Sequence, residues 1–328
     1  MKLLIALHHR FDLWNAPDWF AEKLQCDFPG LNVVDLHGYE GIEQQIPDAD
    51  IAIAWSIRPE QFRLAKKLRW IHSTAAAVHQ LMFPELIESD VILTNAREVH
   101  GPVVAEHVMA LIFALAKRIP QAVSLQQRHH WGQRDIWESR PRSREVAGAT
   151  LGLIGLGSIG RAVAHTASKL GMKVIAAREH TEKEAPAGVT QVFSSLQIDA
   201  LLALADYVVL CAPVTPRTQG VMNAARIAKM KHDACLINVS RGPLIDETAL
   251  IDALRNRRIG GAALDVFAVE PLPADSPLWD LDNLLITPHT AGLTEKLWGR
   301  QYEFYTENLR RFLAGQPLLG MVDKRKGY

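Results

Sequence analysis

The stretch Thr150-Leu151-Gly152-Leu153-Ile154-Gly155-Leu156-Gly157-Ser158-Ile159-Gly160 decides the fold of this chain. Thr150–Ile154 is a short apolar run of strand character, and Arg161–Leu170 behind the glycines reads as a helix. Strand, G-x-G-x-x-G turn and helix together make the phosphate-binding end of a βαβ unit. The first two glycines permit the sharp turn and let backbone approach a pyrophosphate, and the third lets helix pack on strand. The ligand's charge then meets unpaired N–H groups at the positive end of the helix dipole. Glycines alone also fit a tight turn with no ligand; the flanking strand and helix point to a dinucleotide. Gly155, Gly157, Ser158, Ile159 and Gly160 are therefore expected to line it.

The next strand, Lys173–Ala177, is expected to end near an acid for the adenosine ribose. It runs instead into Arg178, with Glu179 behind it. An arginine there attracts a 2′-phosphate through charge-assisted hydrogen bonds, which points to NADP(H). The alternative has Glu179 on the ribose and NAD(H) as cofactor.

Further strands are read at Tyr207–Cys211, Ala234–Asn238, Gly261–Asp265 and Asn283–Ile286. Ligands of open α/β sheets bind beyond the carboxyl ends of the strands, so the residues there matter most. They are Cys211-Ala212-Pro213, Val239-Ser240-Arg241-Gly242, Asp265 with Glu270-Pro271 beyond it, and Thr287-Pro288-His289. Ala212, Pro213, Thr218 and Val239 join the expected cofactor-binding set. A cation, an acid and a histidine converge on one sheet edge, an arrangement suited to carbonyl reduction. Arg241 can polarise a carbonyl oxygen and hold a neighbouring carboxylate in bidentate fashion. His289 can deliver the proton. Glu270 beside a histidine favours the charged ring. Each residue has a bland alternative, as a solvated arginine, a structural histidine or a turn glutamate; their placement at successive strand ends favours chemistry.

Ahead of the glycine turn, strands are read at Leu3–Leu7, Val33–Val34, Ile51–Trp55, Trp70–His72 and Val91–Leu93, alternating with helical stretches such as Pro59–Leu68. A long helix follows at Val103–Ala116, extended by Gln121–Arg128, and Trp131–Ala147 reads as a loop or arm. The last helix, about Thr294–Leu313, carries Leu297, Trp298, Tyr305, Leu309 and Phe312 at core spacing. The expected class is α/β: a nucleotide domain over 99–290, inserted into a second domain made of 1–98 and 291–328.

Formal net charge is zero and no basic block occurs, so nothing in the chain invites nucleic acid or an anionic membrane. Three cysteines, Cys26, Cys211 and Cys235, are too few for a disulfide framework and too irregular for a metal knuckle. No metal is expected, and reduced thiols point to a cytoplasmic setting. Met1–Leu7 reads as a strand rather than a secretory signal, and no segment is expected to reach transmembrane length.

Five stretches resemble the D-isomer-specific 2-hydroxyacid dehydrogenase family: Asn95–Met109, Leu151–Arg161, Leu236–Asp246, Gly261–Pro273 and Ile286–Gly292. The resemblance implies a Rossmann domain inserted into a flavodoxin-like substrate domain, and a homodimer formed largely through the nucleotide domains. It implies catalytic roles for Arg241, Glu270 and His289, and contact of Asp265 with the nicotinamide carboxamide. It also implies a substrate-carboxylate loop at Ser73–Val78, binding through backbone N–H groups around Ala75, Ala76 and Ala77. Alanine stands at Ala77 where the family often has glycine. Arg178 in place of the usual aspartate is similar to the NADPH-preferring glyoxylate/hydroxypyruvate reductase branch. Two other readings keep the fold: a non-catalytic dinucleotide sensor, and a phosphite or formate dehydrogenase. The intact Arg241–Glu270–His289 set speaks against the first. Ser73–His79 lacks the basic or amide side chains that the second needs.

Overall fold

Parallel strands covered on both faces need near-continuous apolar runs, and most strands of this chain supply them. The computed structural model describes residues 1–9, 11–182 and 184–327. The chain divides into two units, Met1–His100 with Thr294–Tyr328, and Gly101–Leu293.

The first unit holds β1 (Lys2–Ala6), β2 (Asn32–Asp35), β3 (Ile51–Ala54), β4 (Trp70–Ser73) and β5 (Ile92–Asn95). All pair in parallel in the order β2-β1-β3-β4-β5, which is the flavodoxin-like order. One face of the sheet is covered by the C-terminal helix Leu297–Leu313. Its Trp298, Tyr305 and Leu309 pack with Leu3, Ile5, Phe20 and Trp70. The helix begins three residues later than the sequence suggests, and the apolar stripe on it is core.

The second unit holds β6 (Thr150–Ile154), β7 (Lys173–Arg178), β8 (Val189–Ser194), β9 (Tyr207–Leu210), β10 (Cys235–Asn238), β11 (Gly261–Leu264) and β12 (Leu284–Ile286). Their order, β12-β11-β10-β9-β6-β7-β8, is all parallel and Rossmann-like. Strand order reverses between β6 and β9, and the glycine turn leaves β6 at that switch point. Side chains alternate between the two faces. Leu151, Leu153, Val209 and Ile237 enter one core, and Ile175, Val208, Leu210 and Leu236 the other.

Several sequence expectations change. β8 is an extra strand, missed because it is an exposed edge whose Thr190 and Gln191 break the apolar run. Within Trp131–Ala147, expected to be irregular, Gln133–Glu138 forms a helix. Six residues are too few to show a period, and the turn is tied by the Arg134–Glu138 ion pair at 2.7 Å. Helix Pro59–Leu68 contracts to Pro59–Phe62, because the chain turns away and Lys66 N–H donates to Pro47 O. The long helix extends over Arg97–Ala116, twenty residues of mean hydropathy 1.6 in its most apolar window. By length and composition it reaches membrane-spanning size, against expectation. Its Val104, Val108, Leu111 and Ile112 are nevertheless buried in the core of the second unit.

Candidate active site

Backbone geometry at the glycine turn suits a phosphate. Gly155 has φ +102°, and a Cβ there would lie 2.6 Å from the Ala212 nitrogen, so only glycine fits. At Gly157 the direction of a Cβ is open, with nothing within 4 Å. Gly157 also caps the twelve-residue helix Ser158–Lys169 without a side-chain hydrogen bond, which leaves its first N–H groups for a ligand. Ser158 and Ile159 open this helix, and Gly160 packs directly over the Gly155 carbonyl. These features fit a dinucleotide pyrophosphate.

Arg178 is the last residue of β7, and its Nη2 donates to the Glu184 carbonyl at 3.2 Å. Glu179, the alternative ribose ligand, is ion-paired with Arg217 from the loop after β9. In that loop Thr218 Oγ1 donates to Pro213 O at 2.6 Å and accepts from Thr215 N at 2.8 Å. Ser240 Oγ donates to Ala212 O at 2.6 Å, so the loops after β9 and β10 are tied together behind the turn. Ala212 and Val239 are both buried there.

At the ends of β11 and β12 the structure joins two of the three expected catalytic residues. His289 Nδ1 lies 2.6 Å from Glu270 Oε2, with both side chains part-exposed. Glu270 Oε1 accepts from Phe267 N at 2.9 Å, which fixes the carboxylate from its other side. Nδ1 of His289 is thereby the N–H that donates to Glu270, leaving Nε2 for proton exchange. Arg241 is anchored through Nη1 to the Ser240 carbonyl at 2.6 Å, and its own carbonyl accepts from Asn238 Nδ2 at 2.9 Å. Burial pulls its guanidinium below the ordinary value while the Glu270 charge opposes the shift. An arginine so placed stays a cation.

His289 has φ +55°, a left-handed backbone that a histidine holds only when its surroundings enforce it. Asp265 does so. It is 1% exposed, and Oδ1 accepts from Thr287 Oγ1 at 2.6 Å and Thr290 N at 2.8 Å. Oδ2 accepts from Ala291 N at 3.0 Å, and the Asp265 carbonyl accepts from His289 N at 2.8 Å. The geometry thus gives Asp265 the role of holding the turn that carries His289, beside the carboxamide contact that the resemblance implied. His107 joins this network, Nε2 lying 3.2 Å from Thr287 Oγ1. Neither Thr287 nor His107 was singled out from the sequence. They stand 180 residues apart, so no local pattern links them. Among the described residues no histidine, cysteine or acid cluster could hold a metal.

The Ser73–Val78 loop belongs to the first unit and follows β4 directly. None of its residues has positive φ, so Ala77 sits in an ordinary backbone region and needs no glycine.

Residues 109–291 match the family model "D-isomer specific 2-hydroxyacid dehydrogenase, NAD binding domain". The chain is 35% identical over 289 residues to a D-3-phosphoglycerate dehydrogenase of Methanocaldococcus jannaschii, a match covering 87% of this chain and 53% of that protein. It therefore spans about half the length of that relative. A D-isomer specific 2-hydroxyacid dehydrogenase of Xanthobacter autotrophicus, solved with NADPH and MES, is similar at 32% identity and TM-score 0.84, covering 100% of this chain and 99% of that one. The NADPH-dependent glyoxylate/hydroxypyruvate reductase of Sinorhizobium meliloti, solved with NADP and sulfate, is similar at 28% identity and TM-score 0.82, with the same coverage of 100% and 99%. With a matched domain, an inserted Rossmann unit and these strand-end residues, the chain belongs to the D-isomer-specific 2-hydroxyacid dehydrogenase family.

Proposed function

We propose that this protein is an NADP(H)-dependent 2-ketoacid reductase, acting on glyoxylate, hydroxypyruvate or a larger 2-ketoacid. The observation that carries the reading is the 2.6 Å His289–Glu270 pair, on the same sheet edge as Arg241 and the glycine turn.

A nicotinamide dinucleotide held at the glycine turn would supply the reducing equivalent for the carbonyl carbon. The chain's own residues manage the charge that develops on the carbonyl oxygen. Arg241, cationic and half-buried, is the group for that oxygen and for the adjacent carboxylate. Nε2 of His289 gives the proton that converts the oxygen to a hydroxyl, and Glu270 holds the imidazolium form in place until then. The N–H groups of Ala76 and Ala77 are assigned to the substrate carboxylate; that of Ala75, expected with them, donates instead to Ser73 Oγ at 3.3 Å.

The NADP preference is supported by Arg178 at the end of β7, and by the pairing that draws Glu179 toward Arg217. Similar proteins solved with NADPH or NADP lend it further weight. The same reading includes a homodimer and a cytoplasmic setting.

The deciding experiment follows nicotinamide absorbance across a panel of 2-ketoacids, run in parallel with NADPH and NADH. Turnover of a 2-ketoacid, faster with NADPH, is expected. No turnover of any 2-ketoacid with either cofactor overturns the proposal.

A further inference from the structure

Three carbonyl groups of the Ser73–Val78 loop, those of Thr74, Ala75 and Ala76, are held by neighbouring donors. Gln301 Nε2, from the C-terminal helix, donates to Thr74 O at 2.7 Å. Ala96 N donates to Ala75 O at 3.2 Å, and Asn95 Nδ2 donates to Ala76 O at 2.6 Å. Trp55 Nε1 adds a hydrogen bond to the Thr74 hydroxyl. Three successive carbonyls are thus drawn inward, while the N–H groups of Ala76, Ala77 and Val78 have no acceptor among the described residues. A run of free N–H groups backed by pinned carbonyls is an anion-binding concavity.

The two amides are held at a cost. Gln301 is 2% exposed and Asn95 1%, yet Gln301 Oε1 and Asn95 Oδ1 are buried without a partner. Their orientation is fixed, since an amide oxygen set against the loop carbonyls would place two acceptors together. A buried amide with half its capacity unmet is worse than an apolar side chain unless the bond it does make is needed.

We propose that Gln301 and Asn95 are positioning residues, which turn the Ser73–Val78 loop so that its N–H groups face a planar carboxylate of the substrate. This rests on the reading of the loop as the carboxylate site of a 2-ketoacid reductase. The residues touch no substrate; they act through the loop backbone.

The test uses the full chain and oxamate, an unreactive isostere of a 2-ketoacid. Gln301→Met keeps length and bulk while removing the donor. KM for the 2-ketoacid and Kd for oxamate should each rise about tenfold, with kcat and the Kd of NADPH unchanged. Asn95→Leu should give the same split, and decides the matter if the first variant fails to fold. In the wild-type protein, oxamate should shift the backbone amide resonances of Ala76, Ala77 and Val78 and slow their exchange. Unaltered KM and oxamate affinity in the variants, or no response of those amides, overturns the inference even where the wild type turns over 2-ketoacids. Oxamate binding that weakens in Gln301→Met supports the inference even where no 2-ketoacid is reduced. A wild type with neither turnover nor oxamate binding overturns both.

Discussion

His289 Nδ1 and Glu270 Oε2 are 2.6 Å apart, and the second oxygen of Glu270 is held by Phe267 N at 2.9 Å. The glutamate is therefore fixed at both ends, and the imidazole takes its orientation from it. Glu270→Gln keeps an acceptor for Nδ1 and removes the charge that stabilises the protonated ring. We expect kcat to fall by about tenfold to a hundredfold, with the KM of NADPH little altered. Steady-state kinetics with both substrates varied decides this; an unchanged kcat would show that the carboxylate charge is not used.

Asp265 supports His289 from below, through Thr287, Thr290 and Ala291. Its carboxylate is buried, so the loss of several hydrogen bonds is not made up by water. Asp265→Ala should cost about 3 kcal/mol of stability, and Thr287→Val, which removes one hydroxyl, about 1 kcal/mol. Both should lower kcat, because a left-handed His289 has no other enforcement of that strength. Urea unfolding midpoints rank the two. If Thr287→Val proved the more costly, the carboxylate would not be the hub.

Arg178 and Glu179 separate the two cofactor readings. An aspartate at Arg178 repels a 2′-phosphate and accepts from a ribose hydroxyl. Arg178→Asp should therefore raise KM for NADPH by about tenfold to a hundredfold and leave KM for NADH level or lower. Equal changes for both cofactors would show that Arg178 does not read the phosphate.

Most of this layout was legible because it is written in short-range signals. The glycine turn lies within six consecutive residues, and every strand of the second sheet except β8 is a short, mainly apolar run. Arg241, Glu270 and His289 were readable because strand ends share an edge in any parallel sheet. The supports were not legible. His107 reaches Thr287 across 180 residues, and Gln301 reaches Thr74 across 227; only the fold makes these neighbours. β8 was missed for another reason. As an exposed edge it gains little from apolar side chains, so its sequence lacks the usual run.

His72 gives the first unit a built-in sensitivity to acid. It lies fully buried on β4, ringed by Trp70, Phe304 and Tyr305. Trp70 Nε1 donates to Thr94 Oγ1 at 2.8 Å, and the threonine hydroxyl shares a second hydrogen bond, also 2.8 Å, with His72 Nδ1. Protonation would bury a charge, and burial accordingly holds the pKa down at about 3, against the ordinary 6.5. Between those two values the unfolded chain binds a proton that the folded chain does not. Stability is therefore fully present above about pH 6.5 and is lost on acidification toward pH 3, by roughly 1.4 kcal/mol per pH unit at most. His72→Asn places its amide near the position of Nδ1, keeps a hydrogen-bond partner for Thr94 and cannot titrate. Its stability at neutral pH should be lower for lost packing, yet its decline from about pH 6.5 to about pH 4 should be visibly shallower. Urea midpoints at several pH values give both slopes; parallel slopes would place the acid sensitivity in other groups.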